Sequence, residues 1–204
     1  MIIGAVILMG IGAVAGGGED DTTSSGNVTN TAEVQDTADT ASAEEAVAAM
    51  SKVELYQALG KESEGNSGYS MSQKSVDFIN AHEELFPASG LDALTPYVDS
   101  EIGYKNISKS PDNYGDQIMV VDNAGVISIN EEKVGDNTFT TFQAYDDAGE
   151  NYLVYYFGAL PDVFEDDYVK IYGAPLGTTS FDNIGGGTTL AIVLGGSYVE
   201  KISE

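Results

Sequence analysis

The sequence of 204 residues contains no cysteine and no arginine, and its single histidine is His82. Without cysteine the chain cannot form a disulfide, a thiolate nucleophile or a Cys-ligated zinc site. One histidine excludes a metal site built from several imidazoles and any mechanism that requires two of them. These absences remove the most recognisable kinds of catalytic and metal-binding centre before any pattern is considered.

Positive charge is also scarce, because 33 acidic residues face only 8 basic ones and the formal net charge is -25. Proteins that bind nucleic acids neutralise phosphates with Lys and Arg, so we expect no nucleic-acid partner. Adhesion to an anionic membrane through basic residues is disfavoured for the same reason. The acidity serves either solubility through self-repulsion or the attraction of cations and cationic partners.

The front of the chain divides into an apolar and a polar segment. Residues 1–15 are entirely apolar or glycine, but the run is shorter than the roughly 20 residues of a membrane-spanning helix. It predicts a membrane anchor or the core of a signal peptide with an Ala13-Val14-Ala15 cleavage site. The first lysine is at position 52, so we expect the remainder outside the cytoplasm. Residues 16–43 predict a disordered polar tether.

Residues 44–103 have a helical pattern. A first apolar stripe ends at Gly60, and a second helix begins at the capping residue Ser72 and stops before Pro87. His82 lies on or beside the second stripe, which favours a packing role. Residues 91–98 predict one more helical turn. The first stripe consists of Ala46, Ala49, Met50, Val53, Leu55 and Tyr56.

Residues 104–204 are predicted to form a β domain, and the strand pattern begins at Tyr114. A long strand over 115–129 contains Gly125, which indicates a bulge or bend. Strands over 138–145 and 151–157 flank an Asp/Gly turn and predict a hairpin. Strands over 168–172 and 188–199 complete five. The fold class is therefore predicted to be α+β, with N-terminal helices followed by a five-stranded Greek-key β-barrel.

The segments SVDFINAHEELFP (75–87), YKNISKSPDNYGDQI (104–118) and 169–201 resemble uncharacterised Gram-positive cell-surface proteins. Those proteins have an N-terminal membrane anchor, a polar tether and a C-terminal OB-like (tRNA_anti-like) β-barrel domain. The resemblance implies an OB-like barrel and a place on the cell surface, and it implies no catalytic residues. The zinc ribbon of some members is missing. Residues 158–166 are too short for the helix that many OB folds place there, so we expect the helix over 72–86 to plug the barrel.

Two features predict ligand contacts. In OB folds the face of strands 2 and 3, with the loops after strands 1 and 4, binds the ligand. The tyrosines of the third strand occur on both of its faces, so one set is expected to be exposed for stacking on sugars or peptides. The glycine-rich segment 173–187 is expected to be the loop after strand 4. The candidate ligand-binding residues are Tyr152, Tyr155, Tyr156, Thr178, Thr179, Asp182 and Asn183.

An acidic loop supplies a candidate metal site. Calcium prefers six to eight oxygen ligands, and Asp162, Glu165, Asp166 and Asp167 are clustered in the sequence, but the EF-hand spacing is absent. No cofactor is expected, and calcium is the one alternative. The expected function is non-enzymatic binding or scaffolding at the extracytoplasmic face of the membrane, or in secreted form. The expected partner is a wall glycan or an envelope protein. A calcium-dependent surface module and a carboxylate-based wall hydrolase are the alternatives.

Overall fold

The computed structural model describes residues 50–61, 66–134, 137–182 and 186–202. The predicted anchor (1–15) and tether (16–43), and the start of the helical region at residue 44, lie outside these ranges. Of the helices in the described part of the chain, none combines the length and the apolar content needed to cross a bilayer.

The first helix, α1 (Lys52–Leu59), begins at a reciprocal cap. Ser51 Oγ accepts a hydrogen bond from the Glu54 backbone N–H at 3.2 Å, and the Glu54 carboxylate accepts one from the Ser51 N–H at 2.8 Å. This arrangement satisfies two backbone donors that have no partner inside the helix. The helix ends at Gly60, as predicted, and buries Val53, Leu55 and Tyr56.

The second helix, α2 (Gln73–Ala81), begins at the predicted cap, where Ser72 Oγ accepts a hydrogen bond from the Ser75 N–H at 3.1 Å. It ends earlier than predicted, because His82 leaves the helical conformation and a 3-10 turn, Glu83–Leu85, follows. His82 packs between Phe78 and Tyr97, with ring centroids 5.0 and 4.6 Å away. The predicted packing role of His82 is confirmed.

Two shorter helices precede the sheet. The turn α3 (Leu91–Leu94) is confirmed, whereas α4 (Tyr104–Lys109) lies in a segment where no helix was predicted. Six residues give too few turns for an apolar period to be recognised. A 3-10 turn, Pro111–Asn113, leads from α4 into the sheet.

Five strands form a sheet that closes on itself in the order β1-β2-β3-β5-β4. β1 is long because it pairs with β4 through its first half and with β2 through its second half, and Gly125 pairs in both. The register shifts on either side of Gly125 confirm the predicted bend. All pairs are antiparallel except β3 with β5. The strands are β1 (Met119–Val134), β2 (Asn137–Tyr145), β3 (Asn151–Phe157), β4 (Tyr168–Asp182) and β5 (Thr188–Lys201).

The α+β class with five strands is confirmed, but the predicted loop over 173–187 is wrong. β4 continues to Asp182 and pairs with β5 as far as Thr188. Gly173, Pro175 and Gly177 favour a loop in the sequence because glycine and proline normally interrupt strands. In this strand they accompany two register shifts, between Tyr172 and Gly173 and between Pro175 and Gly177, so they bend the strand without ending it.

The buried residues form two clusters on opposite faces of the sheet. One, the interior cluster, takes side chains from all five strands and includes Phe142, Tyr152 and Ile192. The other, the outer cluster, joins α1 and α2 to residues of β2, β3, β4 and β5. The helix predicted to plug the barrel therefore lies outside it, which corrects that prediction. It is Ile107 of α4 that belongs to the interior cluster.

Candidate binding surface

The tyrosines predicted to form an exposed ligand face are mostly buried. Tyr152 is 3 % exposed, and its hydroxyl donates a hydrogen bond to Asp146 Oδ2 at 3.0 Å. The ring of Tyr104 in α4 packs edge-on against it with centroids 5.9 Å apart. Burial raises the pKa of Tyr152 far above its ordinary value, and the bond to Asp146 adds to the shift. Tyr152 is therefore a side chain of the interior cluster.

Tyr155 lies on the opposite face of β3 and is only 7 % exposed, because the helical part of the chain covers it. Its ring lies 6.5 Å from Tyr56 of α1, 6.1 Å from Tyr69 and 6.0 Å from Phe139. Both faces of β3 are thus covered, one by the barrel interior and the other by α1. The prediction that one face of this strand is open to a ligand is corrected at Tyr152 and Tyr155.

The remaining candidates of this set are dispersed. Tyr156 is half-buried near Tyr198, and burial raises its pKa. Thr179 is 1 % exposed and donates a hydrogen bond to Asn66 Oδ1 at 2.7 Å. Thr178 is partly buried in β4, and Asp182 is exposed at its end. Asn183 lies outside the described residues.

The acidic loop between β3 and β4 is organised around a lysine. Asp167 Oδ2 accepts hydrogen bonds from the Phe164 backbone N–H and from Lys201 Nζ, both at 2.7 Å. These bonds, the lysine first, lower the pKa of Asp167. Lys201 Nζ also donates to the Asp162 carbonyl at 2.9 Å. Glu165 and Asp166, on the same loop, are exposed.

This geometry leaves the calcium prediction without support. Within the described ranges, no group of three His, Asp or Glu side chains converges in a way that could hold a metal ion. Lys201 also forms an ion pair with Asp167, whose carboxylate is the one in this loop that accepts two hydrogen bonds. The site at Asp162, Glu165, Asp166 and Asp167 stays an untested prediction.

The exposed fractions of the large apolar side chains identify a different candidate surface. Six large apolar or aromatic side chains of the described chain are substantially exposed, and four of them border the middle of β1 and the β3–β4 loop. We call these four the aromatic strip. They are Ile127, at 46 % exposure, Tyr145 at 41 %, Phe164 at 61 % and Tyr168 at 40 %. Grouped exposure of this kind marks an interaction surface more often than scattered exposure does.

Gly125 positions the two tyrosines of the strip. It pairs with Tyr145 of β2 on one side and with Tyr168 of β4 on the other. A Cβ at this position would lie 3.0–3.2 Å from ring and hydroxyl atoms of Tyr145, so the Tyr145 ring lies over the glycine. Tyr168 lies close enough to Tyr145 that the Tyr145 side chain is the largest cause of the raised pKa of Tyr168. The absence of a side chain at Gly125 therefore lets two tyrosines meet across β1 and remain exposed.

The strip continues into a shallow groove of about 190 Å³. The loop forms one wall, and it is held in place by the Glu131 carboxylate, which accepts a hydrogen bond from the Leu160 backbone N–H. Phe164 stands at the edge of the groove, with Lys201 Nζ 5.6 Å from its ring centroid. The groove is lined by Ile129, Glu131, Leu160, Pro161, Val163 and Phe164.

Carboxylates surround the tyrosine pair. The pKa of Tyr168 is raised first by the Tyr145 side chain and then, after burial, by the negative charges of Asp147 and Asp166. Neither aspartate forms an ion pair with a described residue, whereas Asp167 is paired with Lys201. The surface therefore combines exposed rings with unpaired negative charge.

Comparisons with known proteins add little to this geometry. A scan of protein-family models finds no match, and neither does a search of curated proteins. Among solved structures, the second OB-fold domain of replication protein A from Methanococcus maripaludis is similar at 15 % identity and a TM-score of 0.25, covering 43 % of this chain and 84 % of that one. A likeness this weak carries no argument about function.

The sequence contains one local signal for the strip. Tyr145 and Tyr168 stand at the ends of two predicted strands, and Gly125 lies within a third. Their convergence depends on β1 pairing with both β2 and β4, which is a property of the closed sheet. A glycine opposite two aromatic residues is a known way of stabilising a bent sheet, and it could have suggested the contact.

Proposed function

We propose that this chain is a non-enzymatic binding module, built on an OB-like barrel and held at the extracytoplasmic face of a Gram-positive cell. Three features support the OB-like assignment: the strand order, the parallel pairing of β3 with β5, and the pairing of β1 with both β2 and β4. The apolar segment 1–15 and the lack of any lysine before position 52 support the placement.

The observation that carries the proposal is the exposed aromatic strip. In OB folds the ligand usually binds on strands 2 and 3, but here α1 covers the corresponding outer face, where Leu153 and Tyr155 are buried. The strip does not belong to that outer cluster and is open. A ligand that uses the barrel therefore finds its apolar contacts at Ile127, Tyr145, Phe164 and Tyr168.

The composition of the strip favours a protein partner over a glycan. Sugars bind through flat ring faces combined with hydrogen-bonding groups, whereas Ile127 and the protruding Phe164 offer apolar surface that a peptide side chain can cover. A second copy of the chain is disfavoured because it carries the same net charge of -25. Nucleic acid is disfavoured for the same reason.

A photo-crosslinking experiment in intact cells tests the proposal. A photoreactive amino acid replaces Phe164, and in a control it replaces Leu91 of α3, which is 38 % exposed and does not belong to the strip. We expect a discrete protein adduct at position 164 only. Protease treatment of intact cells should also degrade the domain if it lies outside the membrane.

Affinity measurements with the purified partner then test the proposal quantitatively. Covering a large apolar side chain is worth about 1.5–3 kcal/mol, so I127S/F164S should weaken binding by roughly tenfold or more. The matched variant L91S/L190S also removes two exposed apolar side chains and should bind as the wild type does. Equal adducts at positions 164 and 91, or equal affinities of the two double variants, would overturn the proposal.

A further inference from the structure

Two aspartates lie near the tyrosine pair of the aromatic strip. The segments that carry them are hydrogen-bonded to β1 residues on either side of Gly125. Asn123 Nδ2 donates a hydrogen bond to Asp147 Oδ1 at 2.7 Å, which fixes the hairpin turn over the strand. On the other side, the Asp166 backbone N–H donates to the Val126 carbonyl at 3.0 Å, which brings the β3–β4 loop against the strand. Two strand residues near Gly125 thus hold the turn that carries Asp147 and the loop that carries Asp166 against β1, beside the tyrosine pair.

The local cations do not neutralise these two aspartates. Lys201 is bound to Asp167 at 2.7 Å. Lys170, two residues along β4 from Tyr168, is bound to Asp122 at 2.7 Å and lies over the Tyr172 ring instead. Asp147 and Asp166 are exposed and form no ion pair with a described residue, so their charge is available to a ligand.

Exposed tyrosine rings attract a cation through their electron-rich faces, and a carboxylate beside the ring adds a direct ion pair. We infer that the partner presents a Lys or Arg side chain to Tyr145 and Tyr168, between Asp147 and Asp166, while neighbouring apolar side chains of the same segment cover Phe164 and Ile127. This inference rests on the proposed function, because it names the chemistry of the segment that occupies the same surface.

The net charge of the chain supports this choice of occupant. A chain with 33 acidic and 8 basic residues draws a cationic segment toward it over a distance comparable to the Debye length. The apolar side chains of the strip then select, among cationic segments, those that also carry apolar residues. An acidic or purely polar segment would gain neither interaction.

The test uses the full chain and a synthetic 12-residue peptide in which Lys and Leu alternate. Two matched peptides replace every Lys with Gln or every Leu with Ser. Calorimetry at low and moderate salt measures the affinities. We expect the Lys/Leu peptide to bind at least tenfold more tightly than either matched peptide, and its affinity to fall as salt is raised.

Variants of the chain locate the cation. Exposed ion pairs and exposed cation–π contacts each contribute up to about 1 kcal/mol, so D147N/D166N should weaken the Lys/Leu peptide about fivefold. The control D92N/E101Q removes the same charge from exposed positions elsewhere and should change affinity less than twofold. Y168L should weaken binding about threefold, whereas Y168F keeps the ring and should stay within twofold of the wild type.

Each alternative outcome has a defined meaning. Equal effects of D147N/D166N and D92N/E101Q, or equal affinities of the Lys and Gln peptides, would overturn the inference. If I127S/F164S still weakens the natural partner in that case, the proposed function stands without the cation. A soluble wall oligosaccharide that binds in a manner sensitive to Y168L but not to D147N/D166N would identify a glycan surface and overturn both.

Discussion

Among single side chains, the tyrosines of β3 show how burial separates structural from functional aromatics. Tyr155 has its ring among Tyr56, Tyr69 and Phe139 in the outer cluster. Tyr168, in contrast, is 40 % exposed beside Gly125. The same residue type therefore serves packing at one position and is available for contact at the other.

This difference yields a prediction for Tyr155. Y155A should lower the free energy of unfolding by about 3–5 kcal/mol, because truncating a buried aromatic side chain leaves a cavity beneath α1. For a domain of this size the melting temperature should fall by roughly 10 °C, measured by circular dichroism. Y155F keeps the ring and should remain close to the wild type. A Y155A protein as stable as the wild type would show that α1 does not cover this face.

Within strands and loops, local patterns were the easier part to predict from the sequence. The cap at Ser72 and the hairpin turn, where Asp146 Oδ1 accepts bonds from the Ala148 and Glu150 N–H groups, depend only on neighbouring residues. The extension of β4 to Asp182 could not be predicted in this way. It is stabilised by pairing with β5, and this non-local pairing overrides the strand-breaking tendency of Gly173 and Pro175.

The β3–β4 loop should show a pH-dependent stability that depends on Asp167. Its pKa is lowered in the folded protein, by Lys201 first and then by the Phe164 N–H. A lowered carboxyl pKa contributes stability that is fully present above the unfolded-state value, near 4, and is lost as pH falls through the folded value. We therefore expect D167N to melt below the wild type at pH 7 and the difference to shrink below pH 4.

The neighbouring variant E165Q serves as the control, since it removes one negative charge from an exposed side chain without an ion pair to a described residue. It should leave the pH 7 melting temperature nearly unchanged. A D167N deficit of the same size at pH 3 and pH 7 would mean that the Lys201 contact does not stabilise the folded state through this ionisation.

At the scale of the whole molecule, the location of the candidate site depends on how the helices pack against the barrel. Sequence patterns do not predict that packing. The periodicity of α1 and α2 shows that each has an apolar face, but not which surface that face covers. By covering the outer face of β2, β3, β4 and β5, the helices remove the surface expected to bind ligand and leave the region around Gly125 exposed. Tyr145 and Tyr168, 23 positions apart, become a pair only through the closure of the sheet.

The charge of the chain leads to the last prediction. With a net charge of -25 and three lysine–carboxylate ion pairs among the described residues, like-charge repulsion should outweigh attraction in the folded state. Raising NaCl from about 10 to 150 mM shortens the Debye length from about 30 to 8 Å, so the full chain should gain about 1–2 kcal/mol and melt roughly 2–8 °C higher. A melting temperature that falls with NaCl would show that the few ion pairs outweigh the repulsion. Calcium and magnesium at equal ionic strength should then raise the melting temperature by equal further amounts. A rise specific to calcium would instead support the alternative of a calcium-dependent module at the loop of Asp162, Glu165, Asp166 and Asp167.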